Sequence, residues 1–216
     1  MSLNISRMQG RHCNLNTLSR PDGSALYSQG KTTIVAGVYG PTECKNTKIL
    51  IDKAHIEMHY RPKSGLPTVG DRLHEAILKN ICETSLLSVL YPRTSIVIVV
   101  QEMQSGGELI ASAVNACCLA LLDSGIDMKF LVAGISCCMD KDGNLYVDPT
   151  TTQMSKAAAS FIFVFDSFEG SIVASHTTGI FTIANYTEAL KLCKESSASV
   201  FDYYRQIMKK KLAVYK

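Results

Sequence analysis

Residues 24–39 read SALYSQGKTTIVAGVY and contain two strand-like runs separated by Gly30-Lys31. The second run, Thr32 to Tyr39, is rich in β-branched residues and ends at Gly40-Pro41. Branched side chains favour strands, and a glycine between two such runs favours a tight turn. The segment therefore predicts a β-hairpin with its turn at Gly30.

The same segment contains Gly30-Lys31-Thr32, which resembles part of a nucleotide-binding P-loop. A P-loop joins a strand to a helix, so that backbone N–H groups at the helix N-terminus hold phosphate. Here Ile34 to Val38 predicts a strand after the glycine instead. We therefore interpret the match as coincidental and expect a hairpin without a nucleotide.

Further strands and a helix are expected downstream of the hairpin. Ala54 to Tyr60 alternates apolar with polar residues, which predicts a half-exposed strand that completes an antiparallel meander. Apolar residues at helical spacing from Leu73 to Val89 predict a helix that Pro92 ends. The β-branched run Ser95 to Val100 predicts a strand that is covered on both faces.

The second half of the chain predicts two helices and two hairpins. No Pro-rich or Ser-rich linker divides the sequence, so residues 1–216 are expected to form one domain. The fold class is α+β, with mixed sheets packed against three main helices. The predicted elements are a helix from Glu108 to Gly125, strands Phe130 to Met139 and Leu145 to Val147, strands Ala158 to Phe165 and Ser171 to Thr178, and a helix near Asn185 with Glu188 as its capping-box partner.

The composition is that of an ordinary folded chain: 46% of the 216 residues are hydrophobic and 19% are charged. No stretch approaches the roughly 20 apolar residues of a membrane span, so no membrane partner is expected. Met1 to Arg7 lacks a charged start followed by an apolar run, so no secretory signal is expected either. The net charge of +3 permits a basic patch but does not by itself predict nucleic-acid binding.

The eight cysteines predict reduced, buried thiols in an intracellular protein. Cys117-Cys118 and Cys137-Cys138 lie inside apolar runs, where a free thiol behaves as a small hydrophobic group. His55 and His59 share a predicted strand face, but their separation of about 13 Å along a strand is too long for chelation. We therefore predict no metal site and no cofactor.

A glycine-rich turn precedes the second predicted helix, in Ser105-Gly106-Gly107-Glu108. Backbone N–H groups at such a turn can hold phosphate. However, Glu108 is itself an anion in the first turn, and no Arg, Lys or His stands in this loop. The residues alone therefore favour a helix start without a bound anion.

Basic residues on predicted loops are candidates for phosphate contacts. Arg61-Pro62-Lys63 directly follows a strand, and Arg93 follows Pro92. These side chains fit either a nucleic-acid contact or a solvated loop. Lys209 to Lys211 better fits the C-terminal end of a helix than a nucleic-acid tail.

Six short motifs follow one another along the chain. They are Ser19-Arg20-Pro21-Asp22-Gly23-Ser24-Ala25, Gln29-Gly30-Lys31-Thr32, Val38-Tyr39-Gly40-Pro41, Tyr91-Pro92-Arg93-Thr94-Ser95-Ile96, Ala113-Val114-Asn115-Ala116 and Leu145-Tyr146-Val147-Asp148-Pro149-Thr150. In this order they resemble the RNase PH family, and in particular the RNase PH-like ring subunits of the eukaryotic RNA exosome. The resemblance extends from about Leu15 to the last helix and implies the RNase PH-like fold, which is also called ribosomal protein S5 domain 2-like.

The resemblance also implies where catalytic groups would lie. Active members cleave RNA from its 3′ end with inorganic phosphate as the nucleophile. They hold phosphate with an arginine beside the Gly-Gly loop and use carboxylates after a later strand to hold a metal or relay a proton. The arginine position falls on Leu109, and the acid positions fall on or near Thr152 and Ala158. A second phosphate arginine, on the first helix, has no certain equivalent among Lys79, Cys82 and Glu83.

The resemblance therefore implies a degenerate phosphate site at Gly106, Gly107, Glu108 and Leu109, and a chain that is not an enzyme. It implies a structural subunit of an exosome ring, with other RNase PH-like subunits and cap subunits as partners. Such a ring threads single-stranded RNA for 3′-to-5′ processing and degradation, including rRNA processing, in the nucleus, nucleolus and cytoplasm. In related rings the loop after the third strand faces the pore, and it corresponds to residues 60–65 of this chain. The resemblance therefore implies Arg61, Lys63 and, more weakly, Arg93 as RNA contacts.

Two alternatives remain open from the sequence. The chain could be a phosphorolytic or metal-dependent nuclease that acts as a homodimer and uses Asp140, Asp142, Asp148 or Asp166. It could also be a folded binding module outside any exosome. The isolated chain is expected to form a homodimer or to need a partner.

Overall fold

The computed structural model describes residues 10–107, 109–141 and 143–214. Some residues that the sequence analysis names lie outside these ranges: Met1 to Arg7, Glu108 and Asp142. The strands are β1 (Arg11–Leu15), β2 (Gly23–Gln29), β3 (Thr32–Glu43), β4 (His55–Arg61), β5 (Thr94–Gln104), β6 (Val132–Met139), β7 (Leu145–Val147), β8 (Ala159–Asp166) and β9 (Ile172–Gly179). The α-helices are α1 (Val69–Ser85), α2 (Leu109–Ser124), α3 (Thr151–Met154) and α4 (Ile183–Val214).

The first sheet has the strand order β1-β2-β3-β5-β4. β2 and β3 form the predicted antiparallel hairpin, with Gln29 paired to Thr32 and Gly30 at a φ of 57° in its turn. This hairpin confirms that Gly30-Lys31-Thr32 is not a P-loop. The predicted meander is wrong at its third strand, because β4 pairs in parallel with β5 and not with β3. Parallel strands need a crossover connection, and α1 supplies it.

The first predicted helix is present, but it begins at Val69, four residues before the predicted Leu73, and it ends earlier than expected. Thr68 caps it: the Thr68 hydroxyl accepts a hydrogen bond from the N–H of Asp71, whose carboxylate accepts one from the N–H of Thr68. The helix ends at Ser85 rather than near Pro92, because Leu86 is extended and forms a β-bridge with Met128. A tertiary contact therefore overrides the helical spacing of the residues that follow Ser85.

The second sheet has the order β7-β6-β8-β9, and all of its neighbours are antiparallel. Both predicted hairpins are present. The β6–β7 turn is closed by a hydrogen bond from the N–H of Asp140 to the carbonyl of Asn144 (3.0 Å). β6 begins at Val132, two residues after the predicted Phe130.

The core lies around α2, between the two sheets. Every residue from Ile110 to Leu121 is buried, as expected for a helix that is apolar on all faces. α2 packs against β2 and β3 on one side and against β6 and β8 on the other. The buried apolar side chains of both sheets and of α1, α2 and α4 form one continuous cluster. The α+β class with three main helices is therefore confirmed, with a mixed first sheet and an antiparallel second sheet.

The last helix starts earlier than predicted. The N–H of Asn185 donates to the hydroxyl of Thr182 (3.4 Å), so the first turn lies before Asn185, and the predicted capping box with Glu188 is wrong. Its inward face carries Ala189, Cys193, Val200 and Tyr204, which are all buried. Among the described helices, none combines the length and apolar character that a bilayer crossing requires.

The cysteines lie where the sequence predicted. Seven of the eight are buried, Cys13 is partly buried, and none forms a disulfide. Within the described ranges, no group of three or more His, Cys, Asp or Glu side chains has an arrangement that could hold a metal ion.

Candidate functional site

The glycine-rich loop lies between β5 and α2 and is held from two sides. The N–H of Gly106 donates to the hydroxyl of Thr32 (3.1 Å), and the hydroxyl of Thr151 donates to the carbonyl of Gly106 (2.6 Å). A Cβ atom on Gly106 would lie 2.7 Å from the carbonyl carbon of Lys31, so only glycine permits this approach. The loop is therefore packed against the β2–β3 hairpin and against α3, and the N–H of Gly106 already has a protein acceptor.

No arginine stands in this loop or at Leu109, so no guanidinium group there can hold a phosphate with two hydrogen bonds. Leu109, at the position that the resemblance assigns to a phosphate arginine, is partly buried and packs against the core. Its side chain has no hydrogen-bond donor. On α1, Lys79 pairs with Glu83 (3.7 Å), and Cys82 is buried. Neither arrangement replaces an arginine that holds an anion.

Sequence reasoning missed a cation beside this loop. Lys31 is exposed at the β2–β3 turn, and its backbone lies against Gly106. The sequence predicts a hairpin at Gly30-Lys31-Thr32 and no role in anion binding. Nothing local in the sequence indicates that this turn contacts a loop more than 70 residues away. Lysine provides a point charge rather than the two-pronged donor set of arginine.

The two degenerate acid positions lie in α3 and just before β8. Thr152 is exposed, and its hydroxyl lies 3.0 Å from that of Thr150. Ala158 is partly buried, and its N–H donates to the carbonyl of Met139 (2.8 Å). Neither residue offers a carboxylate to a metal ion or to a proton in transfer, so these positions do not fit a catalytic metal.

The carboxylates of the alternative nuclease hypothesis have structural partners. Asp148 forms an ion pair with Arg11 (3.4 Å), with side chains only 3% and 9% exposed. Burial raises the pKa of the Asp148 carboxyl, and the Arg11 guanidinium offsets part of this effect. Asp166 accepts hydrogen bonds from the N–H groups of Glu169 and Ser171 and so fixes the β8–β9 turn.

Asp140 and Asp166 are far apart. Asp140 follows the last residue of β6, whereas Asp166 pairs with Val132, the first residue of β6. The eight residue steps from Val132 to Asp140 along a strand correspond to about 26 Å. Two carboxylates at this separation do not form an acid–base pair on one substrate.

The basic loop lies at the same end of the first sheet as the glycine-rich loop. Arg61 ends β4 opposite Gln101 of β5, and the Gln101 side chain donates to the carbonyl of Pro62 (3.1 Å). Arg61 and Lys63 are exposed and form no ion pair with a described residue. Lys31 lies at this end too, because Thr33 is paired with Gln104 of β5. The end of β4 and the β2–β3 turn therefore both carry exposed cations, and β5 lies between β4 and β3.

Arg93 does not join this group. It precedes β5 at the end where His55 pairs with Ser95, whereas Arg61 pairs with Gln101. About 20 Å of strand separates these two ends. The N–H of Arg93 donates to the carbonyl of Leu50 (3.1 Å), and its φ is 60°. The structure thus brings together Arg61 and Lys63 but not Arg93.

Comparison with known proteins agrees with this architecture. The sequence model of RNase PH, described as the 3′ exoribonuclease family, domain 1, matches residues 8–127. The chain belongs to this family. The RNase PH resemblance of the sequence is therefore confirmed, and so is the RNase PH-like fold.

Individual relatives carry exosome names. An Arabidopsis thaliana protein named Exosome complex exonuclease RRP46 homolog is 31% identical, over 90% of this chain and 88% of the relative. A Caenorhabditis elegans protein named Exosome complex component RRP46 homolog is also 31% identical, over 96% and 97%. The crystal structure of rice (Oryza sativa) Rrp46 superimposes with a TM-score of 0.91 at 27% identity, covering 95% of this chain and 97% of the rice chain.

Proposed function

We propose that this RNase PH family chain is a structural subunit of an RNA exosome ring. In this role it carries out no phosphorolysis and lines part of the path of single-stranded RNA. Its relatives from Arabidopsis and Caenorhabditis, which match over most of both chains, carry exosome names and support the exosome assignment.

One observation carries the non-catalytic part of the proposal. The glycine-rich loop and α3 are joined by the Thr151–Gly106 hydrogen bond, yet the positions around them hold Leu109, Thr152 and Ala158. Phosphorolysis brings a phosphate anion against the phosphodiester anion of RNA, so the site must neutralise both charges. A leucine, a threonine and an alanine supply no cation and no general acid or base. Lys31 alone adds one positive charge.

The RNA part of the proposal rests on the exposed cations at one end of the first sheet. Arg61 and Lys63 follow the end of β4, and Lys31 lies at the β2–β3 turn. Because β5 lies between β4 and β3, these two strands are about 10 Å apart. Phosphate neutralisation by such side chains needs no base recognition, which suits a path that accepts many RNAs. Arg93 contributes less in this proposal because it lies at the opposite end of the strands.

The proposed partners are other RNase PH-like ring subunits and the cap subunits, with a homodimer when the chain is isolated. Exposed apolar side chains support an assembly: Ile180 and Ile183 are 89% and 84% exposed beside the edge strand β9. Large exposed apolar side chains in a group are typical of protein interfaces. The proposed locations are the nucleus, nucleolus and cytoplasm.

Purification of the tagged chain from its own cells tests the ring assignment. We expect RNase PH-like subunits to copurify in equal amounts, as identified by mass spectrometry. If the folded, tagged chain is recovered without any such subunit, the proposal is overturned. That result would favour a binding module outside an exosome. The same tag on the opposite terminus is the control for a blocked interface.

A further inference from the structure

A groove runs between the edge strand β1 and the helix α4, away from the glycine-rich loop. Its main cavity has a volume of about 610 Å³ and is lined by residues 11–16 and by one face of α4 from Tyr203 to Lys211. A second cavity of about 370 Å³ shares Arg11, Tyr203 and Gln206 with it. The two cavities thus extend along the same helix and could accept an extended segment.

The register of β1 determines which of its backbone groups face this groove. The N–H of Gly30 donates to the carbonyl of Gly10 (3.3 Å), and the N–H of Asn16 donates to the carbonyl of Ser24 (2.8 Å). In an antiparallel pair, alternate residues bond to the neighbouring strand, so the even-numbered residues of β1 bond to β2. The N–H and C=O groups of Cys13 and Leu15 therefore point away from β2. β1 is the last strand on its side of the sheet, and no other described strand pairs with that edge.

The floor of the groove is apolar. Cys13, Leu15, Tyr203 and Ile207 are partly buried and pack against the core. Burial raises the pKa of the Cys13 thiol to about 12, so this side chain stays neutral at physiological pH. Alternate side chains of an added strand would thus find apolar surface.

The rim of the groove is basic. No Asp or Glu is among the residues that line the main cavity, whereas Arg11, His12, Lys210 and Lys211 are. Asp202 lines the second cavity and forms an ion pair with Arg205 (2.7 Å). Arg11 and Lys211 already bind the carboxylates of residues 148 and 123. His12 and Lys210 are exposed and form no ion pair with a residue in the described ranges. The charge that remains for a ligand is therefore the positive charge of Lys210.

We propose that this groove binds an extended acidic peptide segment of a partner protein, which adds as a further strand to the free edge of β1. Strand addition uses the outward N–H and C=O groups of Cys13 and Leu15, and it draws affinity from main-chain hydrogen bonds. A nucleic acid fits less well, because the outward carbonyl groups would face phosphate oxygens. The proposal does not depend on the exosome assignment.

Fluorescence anisotropy of the full chain with a fluorescein-labelled seven-residue peptide that alternates glutamate and valine tests this proposal. We expect saturable binding, and about tenfold weaker binding by Lys210→Glu, because the reversed charge repels the acidic peptide. A tenfold change corresponds to about 1.4 kcal/mol. Lys141→Glu, at the exposed β6–β7 turn, is the matched control and should bind as the parent does. A peptide with lysine in place of glutamate should not bind.

Amide hydrogen exchange tests whether the peptide binds as an added strand. The N–H groups of Cys13 and Leu15 should gain protection when the peptide is added, whereas those of His12 and Asn14 should change little because they already bond to β2. A peptide N-methylated at alternate residues should lose binding.

Three results would overturn the proposal. The first is the absence of saturable peptide binding, and the second is binding without protection of Cys13 and Leu15. The third is binding of a ten-residue oligouridylate, but not of the peptide, with sensitivity to Lys210→Glu, because that result would make the groove a nucleic-acid surface.

Discussion

The hydroxyl of Thr151 donates a 2.6 Å hydrogen bond to the carbonyl of Gly106, a residue 45 positions earlier in the chain. This bond joins α3 to the glycine-rich loop. The bond thereby brings Leu109 and Thr152 to one region. The family resemblance assigns a phosphate arginine to the first position and a carboxylate to the second. In this region, Leu109 and Thr152 lack the charges that a phosphate site requires.

Restoring one charge should restore anion binding. We expect Leu109→Arg to gain phosphate binding, seen as a rise in Tm with added inorganic phosphate that the parent chain lacks, because a ligand that binds only the folded state stabilises it. Leu109→Gln is the control of similar length without charge, and its Tm should not respond to phosphate. Equal responses of all three chains would show that phosphate binds elsewhere.

Charge reversal in the basic loop should weaken RNA contacts of the assembled ring. We expect Arg61→Glu with Lys63→Glu to reduce nuclease protection of threaded single-stranded RNA and to lower the salt dependence of binding, because each lost phosphate contact reduces the slope by about 0.7. Assembly, measured by size-exclusion chromatography, should be unchanged because both side chains are exposed.

Arg93→Glu is the matched control for that pair. It reverses a charge at the other end of the same strands and should affect RNA protection less. If Arg93→Glu reduces protection more than the double variant does, the RNA path runs past the other end of the first sheet.

Much of this fold could be predicted from local pattern. The Gly30 hairpin, the buried α2 and the β6–β7 hairpin each follow from residues that are close in sequence. The placement of β4 beside β5 and the end of α1 at Ser85 could not, because both depend on pairing between residues distant in the chain. β1 was missed because its exposed alternate residues are polar and its ion pair with a residue in the second half is invisible locally.

The sequence predicted which residues form the candidate site, but not how these residues are arranged. Leu109 and Thr152 were found from the family resemblance. The contact of the Lys31 turn with Gly106, and the separation of Arg93 from Arg61, follow only from the register of the first sheet.

Asn115 links three elements of the core and should be sensitive to replacement. Its side chain bonds to both the N–H and the carbonyl of Gly134 (2.8 and 3.0 Å) and accepts a hydrogen bond from the hydroxyl of Tyr204 (2.8 Å). We expect Asn115→Leu to lower the free energy of unfolding by about 2–4 kcal/mol, because buried polar groups lose their partners. Urea denaturation measures this change.

Tyr204→Phe is the milder companion variant and should cost about 1 kcal/mol, since it removes one hydroxyl and leaves the Asn115–Gly134 bonds intact. Both variants and the parent should unfold in a single transition if residues 1–216 form the one domain that the sequence predicts. Two separated transitions would contradict that expectation.

His74 should make stability depend on pH. Burial lowers the pKa of His74, and the nearby carboxylates of Asp71 and Glu102 offset only part of this effect. Its ring packs edge-on against Tyr60, with centroids 5.6 Å apart. The folded state therefore favours the neutral imidazole, and its stability should fall as pH drops below about 6.5, where the unfolded chain takes up the proton.

Replacement of this histidine isolates its contribution. The difference in unfolding free energy between pH 7.5 and pH 5.5 should be smaller in His74→Phe than in the parent, as measured by urea denaturation at both pH values. An equal difference in the two chains would show that His74 does not contribute to the acid sensitivity.

Incubation of the purified chain with 5′-labelled single-stranded RNA, inorganic phosphate and Mg²⁺ tests the central claim most directly. The account predicts RNA of unchanged length and no nucleoside diphosphate, at protein concentrations where a phosphorolytic relative shortens the same RNA. Phosphate-dependent release of nucleoside diphosphates that follows the chain through size-exclusion chromatography, in preparations from two expression hosts, would contradict it.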